Sequence, residues 1–223
     1  MVVTENYEKI LNDIEEACRC SGRKMEEITL IAVTKYVTIE RNRELMEAGI
    51  NHFGENRSDE FLRKYEAIGD EATWHFIGTL QSRKVKDVID KVDTIHSLDR
   101  ISLAKQINKR ASRTIDCFVQ VNVSGEETKH GLQVDEVESF VDEMANYEKI
   151  RVVGLMTMAP HVDDEDVIRD VFRKLAGLRD TIRDKKLSHA PCEYLSMGMS
   201  NDFEIAVEEG ATHLRIGTKL VGE

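Results

Sequence analysis

The chain is poor in residues that break or cross-link a fold. Among its 223 residues are two prolines, Pro160 and Pro191, and four cysteines. Few prolines leave helices and strands free to run uninterrupted. No Gly/Ser tract, low-complexity segment or block of one charge sign marks a linker, so residues 1–223 are expected to form a single domain. The cysteines do not suggest a disulfide scaffold. Cys117 sits inside an apolar run and Cys192 beside another, and both read as small hydrophobes. Cys18 and Cys20 form a lone C-x-C, with no second pair to complete four metal ligands. No run approaches the roughly 18 apolar residues of a membrane span. The opening stretch MVVTENYEKILNDIEEACRC is acidic and amphipathic, unlike a basic-then-apolar export signal, so a cytoplasmic location is expected. Positive charge is also short, with 31 Lys and Arg against 42 Asp and Glu, a net charge of −11. That balance argues against a nucleic-acid or anionic-membrane surface. The basic group Arg83, Lys84 and Lys86 reads as a solvated helix face. An anionic ligand must therefore be held locally.

What is present is alternation. Hydrophobic residues make up 41% and charged residues 33%, enough apolar material for a sizeable core. A first helix over 4–20 carries Tyr7, Ile10, Leu11, Ile14 and Ala17 on one stripe. Strands are then expected at TLIAVTK, INHFGEN, TWHFIG, TIHSLD, TIDCFVQVNV, IRVVGLMTM, CEYLSMG and THLRIG, with helical stretches between neighbours. Eight such strands require parallel pairing and point to an α/β fold, a closed (β/α)8 TIM barrel with an added N-terminal helix. Little sequence follows the last strand, so the first helix is expected to cover that gap. The alternative, an open doubly wound sheet, wants a G-x-G-x-x-G turn, and no strand is followed by one.

Active sites of parallel barrels lie at the C-terminal strand ends. That rule selects Thr34-Lys35 at the end of the first strand, the Gly54-Glu55-Asn56 end of the second, and the third, which carries His75 and ends at Gly78. It also selects Met156 on the sixth, Ser196 to Ser200 at the end of the seventh, and Arg215 to Thr218 at the eighth. An amine at the end of an apolar strand suits condensation with an aldehyde, or it snorkels to solvent, or it pairs with Glu55. The turn MGMSNDFEIAVEEG sets Gly, Ser and Asn before a helix, an arrangement that binds anions or simply caps the helix through Ser200 or Asn201 with Glu204. Gly217 and Thr218 recur in the neighbouring loop, the usual phosphate position of such barrels. A strand-end lysine and a phosphate cradle together suggest pyridoxal 5′-phosphate (PLP). Alternation sets Arg215 opposite Leu214 and Ile216. If that face is the interior, its guanidinium reaches the pyridine nitrogen; otherwise it pairs with Glu193 or Glu209. His75 and Trp74 read as packing residues, and the loop SGEETKHG (124–131) as solvated, a lid or a partner surface.

The segments IAVTKYV, HFGENR, WHFIGTLQSRKVK, IHSLDR, VNVSGEETKHGL, GLMTMAP and LSMGMSNDFEIAVEEGATHLRIGT, in this order, closely resemble the pyridoxal phosphate homeostasis protein (YggS/PROSC) family. The resemblance covers nearly everything from Ile28 onward. It implies a fold-type III barrel like the N-terminal domain of alanine racemase, with Lys35 carrying PLP as an internal aldimine. It implies that Ser200, Gly217 and Thr218 hold the phosphate and that Arg215 faces the pyridine nitrogen. It places Asn56 near the ring and Met156 and Met199 in the pocket lining. Racemases add a β-domain supplying a catalytic tyrosine, and no counterpart is seen here. The terminus GTKLVGE departs slightly from the family pattern and sets Lys219 beside the phosphate loop. The implied function is intracellular PLP homeostasis, holding the cofactor and buffering it or delivering it to apo-enzymes, by a monomer rather than an enzyme. The competing reading is an amino-acid racemase, for which only His75 or Tyr36 offers a second base.

Overall fold

A computed structural model of the chain describes residues 2–126 and 128–222. Glu127, in the expected lid loop, and Glu223 lie outside the described residues.

Eight parallel strands close into a barrel in sequence order. They are β1 (Thr29–Val33), β2 (His52–Glu55), β3 (Thr73–Phe76), β4 (Thr94–Leu98), β5 (Ile115–Gln120), β6 (Ile150–Met156), β7 (Tyr194–Ser196) and β8 (His213–Ile216). The closing pair β1–β8 registers Ile31 with Arg215 and Ala32 with Ile216. Each strand is shorter than its apolar segment, because the last residues of each segment leave the ladder to form the barrel mouth.

The helices are α1 (Val2–Ser21), α2 (Ile39–Glu47), α3 (Ser58–Ile68), α4 (Val85–Val88), α5 (Ile101–Arg110), α6 (Val137–Glu143), α7 (Glu165–Asp184), α8 (Phe203–Glu208) and α9 (Thr218–Val221). The stripe expected on the first helix holds: Ile10, Ile14 and Ala17 are buried. The segment 82–92 is less helical than its periodicity predicts; a 3₁₀ turn leads into the four residues of α4. One turn, α9, follows the last strand, and the first helix covers the remaining gap as expected. The first helix packs on α8 and α9, and Asn6 donates to the Leu220 carbonyl at 3.3 Å.

Strand alternation splits the interior in two. Ala32, Phe53, Trp74, Ile95, Val119, Leu195, Leu214 and Ile216 join the large core between barrel and helices. Trp74 is part of it, ringed by Phe53, Phe61 and Tyr65, with its indole N–H on the Gly69 carbonyl at 2.9 Å. Inside the barrel the apolar part is small, Phe118, Val153 and Met156 with Met158 against them. Much of the remainder is polar, including His75, His96, Ser196 and Arg215, with Ile31 beside Arg215 on the closing strand pair. Barrel interiors are ordinarily filled by branched apolar side chains.

Candidate active site at the barrel mouth

A cavity of about 720 Å³ opens at the C-terminal strand ends. The eight residues that the resemblance implies as cofactor-binding lie on its wall: Lys35, Asn56, Met156, Met199, Ser200, Arg215, Gly217 and Thr218.

Lys35 lies in the turn just beyond β1, which ends at Val33. The preceding step is clamped from outside the barrel. Thr34 donates its hydroxyl to Glu55 Oε1 at 2.5 Å, and the Lys64 amine meets the same oxygen at 2.7 Å. Lys64 also donates to the Thr34 carbonyl. Thr34, Glu55 and Lys64 are fully buried. Burial pushes the Glu55 carboxyl above its ordinary range, opposed by Lys64 and Thr34. Glu55 is thus the partner of Lys64 and not of Lys35, which settles against the ion-pair reading of Lys35. Beyond this fixed step Lys35 lines the cavity, half-buried, with its amine 5.1 Å from the Tyr36 ring centre. Tyr36 itself is 79% exposed.

Asn56 follows Glu55 at the end of β2, and its buried Oδ1 has no hydrogen-bond partner among the described residues. Gly78 makes that placement possible. A Cβ there would stand 2.6 Å from the Asn56 carbonyl oxygen, so only glycine lets the chain after β3 pass so close.

Across the mouth, the capping reading of Ser200 and Asn201 does not hold. Asp202 occupies the position before α8, and its Oδ1 receives the Met199 N–H at 2.6 Å. Burial pushes the Asp202 carboxyl up. Ser200 is left facing the cavity beside Gly217 and Thr218. Lys219 is exposed, and its amine lies 5.0 Å from the centre of the Phe203 ring.

Arg215 points into the barrel, as alternation allowed, and is 4% exposed. It donates to Ser196 Oγ at 2.6 Å and to the Thr157 carbonyl at 2.8 Å. The carboxylates proposed as its partners are engaged elsewhere or distant: Glu209 pairs with Arg169 and Arg173, and Glu193 lies exposed on the outer face. Burial lowers the Arg215 pKa to about 10, which leaves it a cation at neutral pH.

On either side of position 127, described residues of this loop bond back to the end of β5. Gln120 donates to the His130 carbonyl at 3.2 Å, Asn122 to the Glu126 carbonyl at 2.9 Å, and His130 joins the cavity wall. His75 is absent from that wall. It lies inside the barrel, between His52 and His96.

Sequence reasoning missed Lys64, Thr157 and Asp202 as supports of the site, and selected Thr34 and Ser196 as strand-end residues without foreseeing their contacts. One signal was available. Lys64 falls on the apolar stripe of its helix, between Phe61 and Ile68, where an unpaired lysine would not be tolerated.

Residues 11–223 match the family model described as alanine racemase, N-terminal domain. A pyridoxal phosphate homeostasis protein of Aquifex aeolicus is 43% identical over 227 residues, covering 100% of this chain and 99% of the relative. The chain belongs to the pyridoxal phosphate homeostasis protein family. Two solved structures share the family barrel. An unknown protein from Bifidobacterium adolescentis superposes with a TM-score of 0.93 at 34% identity, over 98% of this chain and 94% of that one. PipY of Synechococcus elongatus PCC7942, solved with PLP bound, gives 0.81 at 29% identity, over 94% of this chain and 100% of that one. The family barrel therefore extends through every strand that supplies the cavity wall.

Proposed function

We propose that the chain binds PLP at the barrel mouth, covalently through Lys35, and serves PLP homeostasis by holding the cofactor rather than turning over substrate. One observation carries this reading. A primary amine, a buried guanidinium and a Ser/Gly/Thr loop pair all face one cavity, the set that an aldehyde, a pyridine nitrogen and a phosphate require. The fit has a further sign in the partnerless Oδ1 of Asn56 on the same wall.

Bound there, the cofactor supplies an aldehyde that condenses with an amine and releases one water. Lys35 is the amine, held at the turn by the clamp on Thr34. The Ser200 and Thr218 hydroxyls and the backbone at Gly217 hold the phosphate. Arg215, cationic in the cavity wall, would face the pyridine nitrogen and disfavour its protonation. Met156 and Met199 fill the apolar part of the wall.

Holding is favoured over racemisation because His75, one of two residues considered as a second base, is turned away from the cavity into the barrel. Tyr36 stands largely in solvent. Delivery to apo-enzymes in a cytoplasmic setting, by a monomer acting as one domain over 1–223, belongs to the same proposal. The name of the relatives, pyridoxal phosphate homeostasis protein, supports the homeostasis role within it. The test is absorbance on adding PLP: a visible band is expected for the wild type and none for Lys35→Ala. An unchanged band in Lys35→Ala removes Lys35 as the attachment point.

A further inference from the structure

An unbroken line of hydrogen bonds runs up the barrel interior below the cavity. His52 Nδ1 lies 3.0 Å from His75 Nε2, and His75 Nδ1 lies 2.9 Å from His96 Nε2. His96 Nδ1 is 2.8 Å from Ser196 Oγ, which receives Arg215 at 2.6 Å. The strand registers build this line. Gly54 pairs with His75 and Thr94 with His75, so each histidine stands two residues higher than the one on the strand before. His52 is half-buried at the base of β2, while His75 and His96 are buried.

Donor and acceptor chemistry gives the line a direction. Arginine only donates, so Ser196 Oγ accepts from it. The serine proton then goes to His96 Nδ1, the other polar atom within reach. A neutral imidazole that accepts at Nδ1 carries its proton on Nε2. His96 therefore donates to His75 Nδ1, and His75 donates to His52 Nδ1. The opposite order would make Ser196 accept from both neighbours and leave its own proton without an acceptor. We infer that Ser196, His96, His75 and His52 form a one-directional relay that positions Arg215 at the cavity, each imidazole holding its proton on Nε2.

Three further observations agree. Burial holds His75 and His96 well below the ordinary histidine range, which keeps them neutral as the relay needs. Phe118 stacks on His96 at 4.4 Å, fixing its ring plane. His213 packs edge-on against both rings, but its Nδ1 is taken by Thr212 at 2.9 Å, so it stays outside the line. No carboxylate lies within ion-pair distance of Arg215 among the described residues, so its placement falls to Ser196 and the Thr157 carbonyl. An arginine gives up no proton at neutral pH. The relay therefore feeds no proton into the cavity, and its residues act by positioning. Its bearing on PLP rests on the function proposed above.

The test uses the full chain, ¹⁵N-labelled and free of PLP, with two-bond ¹H–¹⁵N histidine correlations assigned by single substitutions. His75 and His96 are expected to show protonated Nε2 and bare Nδ1. Ser196→Ala is expected to take His96 and His75 out of that pattern, and Ser196→Thr, which keeps the hydroxyl, to retain it. A protonated Nδ1 at His75 or His96 in the wild type overturns the relay, as does an unchanged pattern in Ser196→Ala. If Ser196→Ala does not fold, the wild-type spectrum alone decides the direction. With PLP added, Ser196→Ala is expected to release it at least threefold faster than Ser196→Thr. Equal release despite altered tautomers overturns the positioning role. A wild type that binds no PLP at all would instead defeat the cofactor reading and leave the tautomer result standing.

Discussion

Glu55 on β2 and Lys64 on α3 form an ion pair 2.7 Å long with neither side chain exposed. The pair joins barrel to helix at the strand step that presents Lys35. Removing one partner strands a charge in a dry interior, at a cost of about 3–5 kcal/mol. Lys64→Met is therefore expected to lower unfolding free energy by that order in denaturant titration. Adding Glu55→Met should restore part of the loss. A single variant within about 1 kcal/mol of wild type would show that the pair contributes little to the fold.

Gly78 lets the backbone pass Asn56. Gly78→Ala sets a Cβ 2.6 Å from a backbone oxygen, which forces a main-chain shift. Loss of about 1–3 kcal/mol is expected, with weaker PLP retention as Asn56 moves. Gly177, within α7, is the control: an added Cβ there meets nothing within 4 Å. Gly177→Ala should stabilise by about 0.5–1 kcal/mol, as alanine replaces glycine inside a helix. Parallel melting curves compare the two.

Acid should destabilise the barrel through its interior imidazoles. Burial lowers His213 to about 4 and holds His75 and His96 well below their ordinary range. A histidine whose folded pKa is depressed takes up its proton first in the unfolded chain. Stability is then intact above the unfolded pKa near 6.5 and is lost as pH falls toward the folded value. Each such imidazole contributes a slope of about 1.4 kcal/mol per pH unit inside its window. Glu55 and Asp202, raised by burial, act in the opposite sense, so the comparison is made against a variant. His213→Gln should flatten the stability profile between pH 6 and about 4. An unchanged profile would remove His213 from this account.

Ser200 and Thr218 are free of helix-capping duty and face the cavity. Ser200→Ala and Thr218→Val should each speed PLP release while leaving the covalent link able to form. Hydrogen bonds to a charged group contribute about 1.5–3 kcal/mol, roughly ten- to a hundredfold in retention. Lys219 lies over the Phe203 ring, so Lys219→Ala should leave the release rate unaltered. Stopped-flow release into an excess of apo-enzyme measures all three. Equal rates for Ser200→Ala and wild type would take Ser200 out of the phosphate site.

The barrel was legible because its signals are periodic. Eight apolar runs separated by helical stretches admit few parallel topologies, and the rule of strand ends then selects the mouth. Lys35 drew notice because an amine ends an apolar strand, and Ser200 because Gly217 and Thr218 recur in the neighbouring loop, which helix capping alone does not explain. The supports were harder to see. Glu55 and Lys64 are nine residues apart on different elements, and only their shared burial explains either. The histidines were read singly, and one histidine in a strand is ordinary packing. Their alignment depends on the stagger of β2, β3 and β4, a property of barrel closure that no local window contains. The extent of α4 was misjudged: the segment 82–92 has helical periodicity but forms only a 3₁₀ turn and four α-helical residues.

The account rests most heavily on the Lys35 amine. Purified protein incubated with PLP, reduced with borohydride, digested and mapped by mass spectrometry tests it directly. The expected result is one phosphopyridoxyl adduct, on the peptide containing Lys35. An adduct on another lysine, or none above the level of a reduced blank, would contradict it.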